Sequence, residues 1–454
     1  MPGSLSGLNI ASSALRSFQI GMDTISHNIA NVNTRGYSRQ RVNYSALPSE
    51  TLSWQKMMQL GTGVTIESIT RARDTLVDRA AMNNFAEQGK MSTMTATLQQ
   101  IEDTYLEPDN GISSALGKFF DGWSALGSNP SSSAARLQVR AAGETLSTRI
   151  RDSYRGLDNL ESSTVSDIRA TLTQIKDLSA QISNLDKEII AKSASGAPPN
   201  DLLDQRGVML DQLSGLVKID VYNQPDGSVA VFAGNIALSR AAVSGEIPAG
   251  LDPSAGPIDQ NLLSNLRSGK IVGLVESYQQ IQSQKTQLDT FSDNLRSQVN
   301  TLHQSGKTLT GATGIDFFAW NGGGARNFEL STDVKTSVDN IASGTSGNSG
   351  DGGLALQMAQ MRQTAIGGLG GRTFEQSFQD QMSRIASDVS FYQTQQSSEE
   401  SVGAMIGNQR QQVSGVSLDE EFADMVKMQR SYQAAAKTLS VMDQSLQDLI
   451  GIIR

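Results

Sequence analysis

The two ends of this 454-residue chain constrain its fold more than anything between them. Leu8, Ala11, Leu15, Phe18, Met22, Ile25, Ile29 and Val32 recur at alternating steps of three and four. That is a heptad seam, and it predicts one long N-terminal helix. The other end mirrors it with Leu418, Phe422, Met425, Met428, Tyr432, Ala435, Leu439, Met442, Leu446 and Leu449, broken by a single three-three step at Met425 and Met428. Ser417, with Glu420 three residues on, reads as a capping box opening that second helix. Both stripes are narrow, and Ser, Gln and Asn fill the remaining faces. Helices of this kind are marginal in water on their own. Each needs a partner: the other end of the chain, a neighbouring copy, or the interior of an ordinary bundle.

The chain between them reads as mainly helical. Apolar periodicity predicts helices over 85–105, 112–127, 134–160, 164–190, 201–216, 271–303, 354–364 and 372–408, with "GSNPSSS" and "SASGAPPN" as breaks. Strand signals are confined. Residues 217–234 hold two alternating runs around a Pro-Asp-Gly turn and predict a hairpin. "GIDFFAW" and "NFELSTDV", within 314–334, read as two further strands. Residues 241–258 and 343–353 are loops by composition. The fold expected is mainly α with a small β domain: terminal helices pairing as a coiled coil, a helical-bundle middle and a β-rich outer part. The boundaries are 1–42 with 414–454 for the terminal unit, 43–216 with 268–306 and 354–413 for the helical unit, and 217–267 with 307–353 for the β-rich unit.

Composition removes several function classes. The chain has no Cys, which excludes disulfides and thiolate chemistry. A net charge of −9 argues against a nucleic-acid footprint, and no run of 18 apolar residues predicts a membrane span. The start, "MPGSLSGLNIASSALRSF", lacks the basic and apolar regions of a secretory signal. His27 and His303 have no partner at metal-binding spacing and read as helix-packing or surface residues. "TLHQSGKT" ends like a phosphate-binding loop, but Thr301 stands where the first Gly belongs. The expectation is no catalytic site, no cofactor and no metal. Arg16, Arg35, Arg39 and Arg41 against Asp23 alone make the first 41 residues locally cationic, which reads as a solvated face.

After Val32 the stripe stops at "NVNTRGYSRQ". Residues 6–42 resemble the N-terminal signature of the bacterial flagellar rod, hook and hook-associated proteins, whose core is N-I-A-N-x-N-T-x-G-Y. Here it is Asn28, Ile29, Ala30, Asn31, Asn33, Thr34, Gly36 and Tyr37. Ser38-Arg39-Gln40, "GTGVTIESITRARDTLVD" (61–78), "NDLLDQR" (200–206), "SGKIVGL" (268–274), "VNTLHQSG" (299–306) and "GATGIDFF" (311–318) are similar to blocks of the hook-associated protein 1 family. The C-terminal stripe looks like the superfamily's shared last helix. The resemblance implies a structural, non-enzymatic adaptor at the junction of hook and filament, assembling as a ring of copies. It implies export through the flagellar type III apparatus without a cleaved signal, to an extracellular place on the flagellum. Its implied partners are other copies of itself, the hook protein, a second junction protein and, before export, a cytoplasmic chaperone at the C-terminal helix, with no nucleic acid and no membrane.

The assembly residues expected are Leu8, Leu15, Phe18, Met22, Ile25, Ile29 and Val32 at one end, and Leu418, Phe422, Met425, Tyr432, Leu439, Met442, Leu446 and Leu449 at the other. The turn residues are Asn31, Asn33, Thr34, Gly36 and Tyr37, with Gly36 as the candidate for a positive φ. A hook or distal rod protein shares both terminal signatures, but the long helical middle speaks against it. A secreted enzyme or adhesin on the same scaffold would need a catalytic constellation in 217–353, and the sequence has none there. The N-T-x-G-Y run disfavours a flagellin-like filament protein.

Overall fold

The structure is a computed structural model that describes residues 2–51, 59–105, 111–194, 196 and 198–453. Helix α1 (Pro2–Ala30) is followed by strand β1 (Gln40–Ala46), a two-residue pair β2 (Glu50–Thr51) with β3 (Gln59–Leu60), and strand β4 (Val64–Arg71). β1 and β4 form an antiparallel hairpin lying on α1. The sequence reading placed no strands here. Both strands are only half-buried, so their alternation carries little apolar contrast.

Four helices follow: α2 (Thr75–Tyr105), α3 (Ile112–Ser128), α4 (Ser133–Ser193) and α5 (Asn200–Leu216). Ile112, Leu116, Phe119, Phe120, Trp123 and Leu126 of α3 are all buried, and Asn129-Pro130 ends the helix. Ser132 then caps α4 by accepting from the Ala135 N–H. The two helices expected over 134–160 and 164–190 are one helix of 61 residues. Glu161-Ser162-Ser163-Thr164 does not break it; within the helix the Ser162 and Thr164 hydroxyls donate to carbonyls four residues back, so their polar groups are satisfied without leaving the helical conformation.

Strands β5 (Asp220–Asn223), β6 (Val229–Ala233), β7 (Ile236–Arg240) and β8 (Val243–Ser244) form one antiparallel sheet in sequence order. Its first hairpin is the one expected over 217–234. Helices α6 (Gln260–Leu266), α7 (Lys270–Gln304), α8 (Thr332–Thr336), α9 (Gly353–Gln360), α10 (Phe374–Ser414) and α11 (Leu418–Ile453) complete the chain. α10 opens with a capping box: Thr373 accepts from the Gln376 N–H, and Gln376 returns the bond to the Thr373 N–H. At α11 the expected box is not formed, since the Glu420 carboxylate turns to Arg39 instead.

The two strands expected over 314–334 are not strands. A single bridge joins Phe318 to Leu330, and 332–336 is helical. Phe317, Phe318, Phe328 and Leu330 are fully buried plugs, and burial from every side produces an apolar run that mimics a strand. They also correct the expected β-rich unit. Residues 317–342 belong to a core built with α2, α3, α7, α9, α10 and the first half of α4. The β5–β8 sheet belongs to a second core with α5, α6 and the second half of α4. Segments 217–267 and 307–353 therefore share no core. α4 and α7 each run through both cores and act as common struts. The chain is 68% helical and 9% strand, so the mainly α class stands.

Candidate functional site

The terminal helices pack against each other, and the hairpin β1–β4 covers another face of α1. A Cβ on Gly7 would strike Met442, one on Gly21 would strike Tyr44 beside Met428, and the buried Asn28 amide meets Glu421. From Gly7 to Gly21 is 14 residues forward, and from Met442 to Met428 is 14 back. From Gly21 to Asn28 is seven forward, and from Met428 to Glu421 is seven back. The pair is thus antiparallel and in heptad register.

The buried line on α1 is not the line of large apolar residues. Gly7, Ala11, Ser17, Gly21, Thr24, Ile25 and Asn28 are buried. Leu8, Leu15, Phe18, Met22, Ile29 and Val32 flank them half-buried. Small side chains let α11 and the hairpin approach closely, and the larger ones are displaced to the rim. The signal was present in the repeat Gly7, Ala14, Gly21, Asn28 at steps of seven. On α11, Met425, Tyr432, Leu439, Met442 and Leu446 are half-buried along the expected line. Phe422 is 54% exposed and Leu418 41%, so both stand off the helix pair. The side chain of Leu449 lies outside the described residues.

The turn that ends α1 is held by side chains. Asn28 is 1% exposed. Its Nδ2 donates to the Gln40 carbonyl and to Glu421 Oε2, both at 3.0 Å. Its Oδ1 accepts from Tyr37 Oη at 2.7 Å and from the Gln40 N–H at 2.9 Å. One amide therefore ties helix end, turn, first strand and last helix together. Tyr37 spends its only proton on Asn28, so His27 Nδ1, 3.0 Å from the phenol oxygen, is the donor there. Burial, with Asp201, Asp204 and Glu421 nearby, holds the Tyr37 phenol above its ordinary range and keeps it a donor. The Asn31 amide donates to the His27 carbonyl and accepts from the Thr34 hydroxyl, while Asn33 is exposed. Gly36 has φ +82°, and a Cβ there would lie 2.1 Å from Val208 of α5.

Beyond the turn the chain docks on the block 200–206. Asp204 is buried and accepts from the Ser38 N–H at 2.9 Å, the Ser38 hydroxyl at 2.8 Å and Arg71 Nη1 at 2.9 Å. Arg73 donates to the Ser38 hydroxyl at 2.9 Å. Asn200 donates to the Ile69 carbonyl and Asp201 accepts from Gln40. Arg206 turns inward to Asp186 at 2.6 Å and to the Gly227 carbonyl, under the β5–β6 turn. Burial raises the Asp186 carboxyl above its ordinary range, opposed by Arg206. Arg39 meets Glu420 at 2.6 Å, Glu421 at 2.5 Å and Asp424 at 3.5 Å, fastening the acidic first turn of α11 to the end of the turn. Sequence reading named Gly36 and Tyr37 but missed Asn28, Arg39, Asp204 and Arg206 as the connecting groups. For Asp204 and Arg206 the block "NDLLDQR" was the visible trace.

The charged groups of this geometry are spent on one another and on backbone. The geometry is a clamp that sets where two terminal helices leave a helical body. Among the described residues no group of His, Asp and Glu is arranged to hold a metal ion, and no helix is long and apolar enough to cross a membrane.

Comparison with known proteins finds matches for both ends and for the middle of the chain. Residues 8–37 match the family model described as flagella basal body rod protein. Residues 405–452 match that of the flagellar basal body rod FlgEFG protein C-terminal. Residues 98–318 match the flagellar hook-associated protein FlgK helical domain. The class is therefore that of the flagellar axial proteins. The flagellar hook-associated protein 1 of Bacillus subtilis (strain 168) is 27% identical, covering 99% of both chains. That of Escherichia coli (strain K12) is 24% identical, covering 98% of this chain and 99% of its own. The solved flagellar hook junction protein FlgK of Burkholderia pseudomallei is 23% identical with a TM-score of 0.48, covering 53% of this chain and 46% of that one. Over nearly its whole length the chain is thus similar to flagellar hook-associated proteins 1, with a FlgK-type helical domain set between two rod-type termini.

Proposed function

We propose that this chain is a structural adaptor of the bacterial flagellum, joining hook to filament at their junction and assembling there as a ring of copies. The observation that carries the reading is the antiparallel terminal pair. It buries small residues at its centre and leaves a rim of large apolar ones half-covered, with Leu418, Phe422 and Val426 open on α11. A lone chain gains little from such a rim, whereas a layer of packed copies buries it.

In that arrangement residues 1–42 with 414–454 form the axial unit. The helical body stands outside it, and 217–267 is a small β unit on the body. The hook protein is the neighbour on one side and a second junction protein on the other. The protein travels through the flagellar export apparatus without a cleaved signal, and a cytoplasmic chaperone holds the apolar face of α11 beforehand. The role is structural, with no substrate turned over.

Immunolabelling of intact flagella with antibody to 217–260 tests this. Label confined to one band between hook and filament supports the reading, and label along the hook or the filament rejects it. A chain lacking 1–40 should remain soluble yet fail to enter that band, and normal filaments built with it would sink the proposal.

A further inference from the structure

Among the described residues three arginines are buried, and two of them meet a carboxylate: Arg206 pairs with Asp186 and Arg296 with Asp293. Arg136, near the start of α4, is 1% exposed and has no such partner among those residues. Its Nη1 donates to the Ile341 carbonyl. Its Nη2 donates to the Pro130 carbonyl at 2.8 Å and to the Ser343 hydroxyl at 2.9 Å. Its Nε is buried and donates to nothing. Every partner is neutral, and Asp339 acts on the guanidinium only from beyond ion-pair distance. A buried cation held by neutral oxygens alone is costly, because its charge is left uncancelled.

Beside Arg136 lies an enclosed hollow of about 50 Å³. Lys307, Thr308, Ser343, Asn348 and Ser349 line it with Arg136, and no carboxylate does. Lys307 stands in "QSGKT", the stretch whose likeness to a phosphate-binding loop fails at Thr301. It follows the end of α7 instead of opening a helix, and its N–H is spent on the Gly344 carbonyl at 2.7 Å. Its half-buried ammonium forms no ion pair among the described residues. Gly347, at φ +85°, lies against the lysine stem, and a Cβ there would be 3.2 Å from Lys307 Cδ. The segment 343–349 thus closes over two cations.

Asp351 is the acid nearest this segment, behind Gly344. Its oxygens accept from the N–H groups of Thr345, Ser346 and Gly353 and from the Ser346 hydroxyl. It shapes the segment and pairs with neither cation.

We infer that this hollow holds one small tetrahedral oxyanion, inorganic phosphate or sulfate, between Arg136 and Lys307. A space of about 50 Å³ admits one such ion and no nucleotide. The two cations supply charge-assisted bonds, and the Asn348 amide and Ser349 hydroxyl supply neutral donors. The ion provides the counter-charge that Arg136 lacks and pins 343–349 to α4 and to the end of α7. The site is independent of the adaptor role and stands whether or not that role does.

Arg136 holds three oxygens of the fold, so the variant to test is Lys307→Ala, with Lys427→Ala on α11 losing the same charge elsewhere. Titration calorimetry of the full chain with inorganic phosphate, and separately with sulfate, is run at constant ionic strength made up with chloride. The expected result is one saturable ion per chain, with Kd at least about tenfold weaker in Lys307→Ala and unchanged in Lys427→Ala. Hydrogen exchange should slow over 343–349 when phosphate is added and stay the same across α11. Binding of phosphate without sulfate supports the site and narrows it to an oxyanion that donates a proton. No saturable binding, or an equal effect on both variants, overturns the inference, since these salts also stabilise proteins through bulk exclusion. Saturable binding that leaves exchange over 343–349 unchanged overturns it as well.

Discussion

Gly36 joins two demands that no other residue meets. Its φ of +82° costs an L-residue about 1–2 kcal/mol, and the missing Cβ makes room for Val208. Gly36→Ala should therefore destabilise the chain by about 2–4 kcal/mol. Adding Val208→Ala should return the overlap portion and leave the backbone portion, as urea unfolding would read. His303 is the second residue with a readable consequence. Its Nδ1 donates to the Ile315 carbonyl at 2.6 Å, and its Nε2 accepts from the Ala342 N–H at 2.9 Å. Burial between Trp123 and Phe317 lowers its pKa to about 4. The neutral ring belongs to the folded state and the unfolded ring binds the proton first. Stability is therefore full above the unfolded value of about 6.5 and falls as pH drops from there to about 4, by roughly 3 kcal/mol in all. Urea midpoints measured from pH 7.5 to 4 should show that slope, and His303→Gln should flatten it. Gly36 was readable from the sequence because its backbone demand is local, whereas Tyr37 entered only through the family signature. Asp204 was not readable, since its partner Ser38 lies 166 residues away and only the fold brings them together.

At the scale of elements, the terminal helices differ in kind from the struts. α3 buries six large apolar side chains, Ile112 to Leu126, each contributing roughly 2–3 kcal/mol. α1 buries mainly Gly, Ala, Ser, Thr and Asn. Hydrogen exchange on the isolated chain should thus be fast across α1 and α11 and slow in α3 and the middle of α7. Equal protection at both places would show that the terminal pair is an independent stable unit. The periodicity of both terminal stripes was legible, and so was the helical type of α2, α3, α5, α7 and α10. Which side of α1 faces inward was not, because contact is decided by how closely two backbones can approach, and small residues carry little hydrophobic signal.

On the scale of the molecule, neither core draws on a terminal helix. A chain of residues 36–414 should then fold alone and melt within about 4 °C of the full chain in calorimetry, since about 1 kcal/mol moves a larger domain by only a few degrees. A fall of 15 °C or more would mean that the clamp at Asn28 and Arg39 stabilises the whole body. The sheet β5–β8 and the plug 317–342 lie in separate cores, although both read as β-rich. Period-two and all-apolar runs report burial and not neighbours. Nothing in a run of buried Phe says whether helices or strands surround it.

By itself the sequence determined the mainly helical class, the matched heptad stripes at both ends, the sharp turn at Gly36 and the family signature. All of these rest on periodicity or on short-range backbone requirements. Tertiary structure alone decided the antiparallel register of the terminal pair, the small-residue line at its centre, the unbroken 61-residue strut and the clamp of Asn28, Arg39, Ser38 and Asp204 on α5. These depend on contacts between residues far apart in sequence, where geometry and not composition selects the partner.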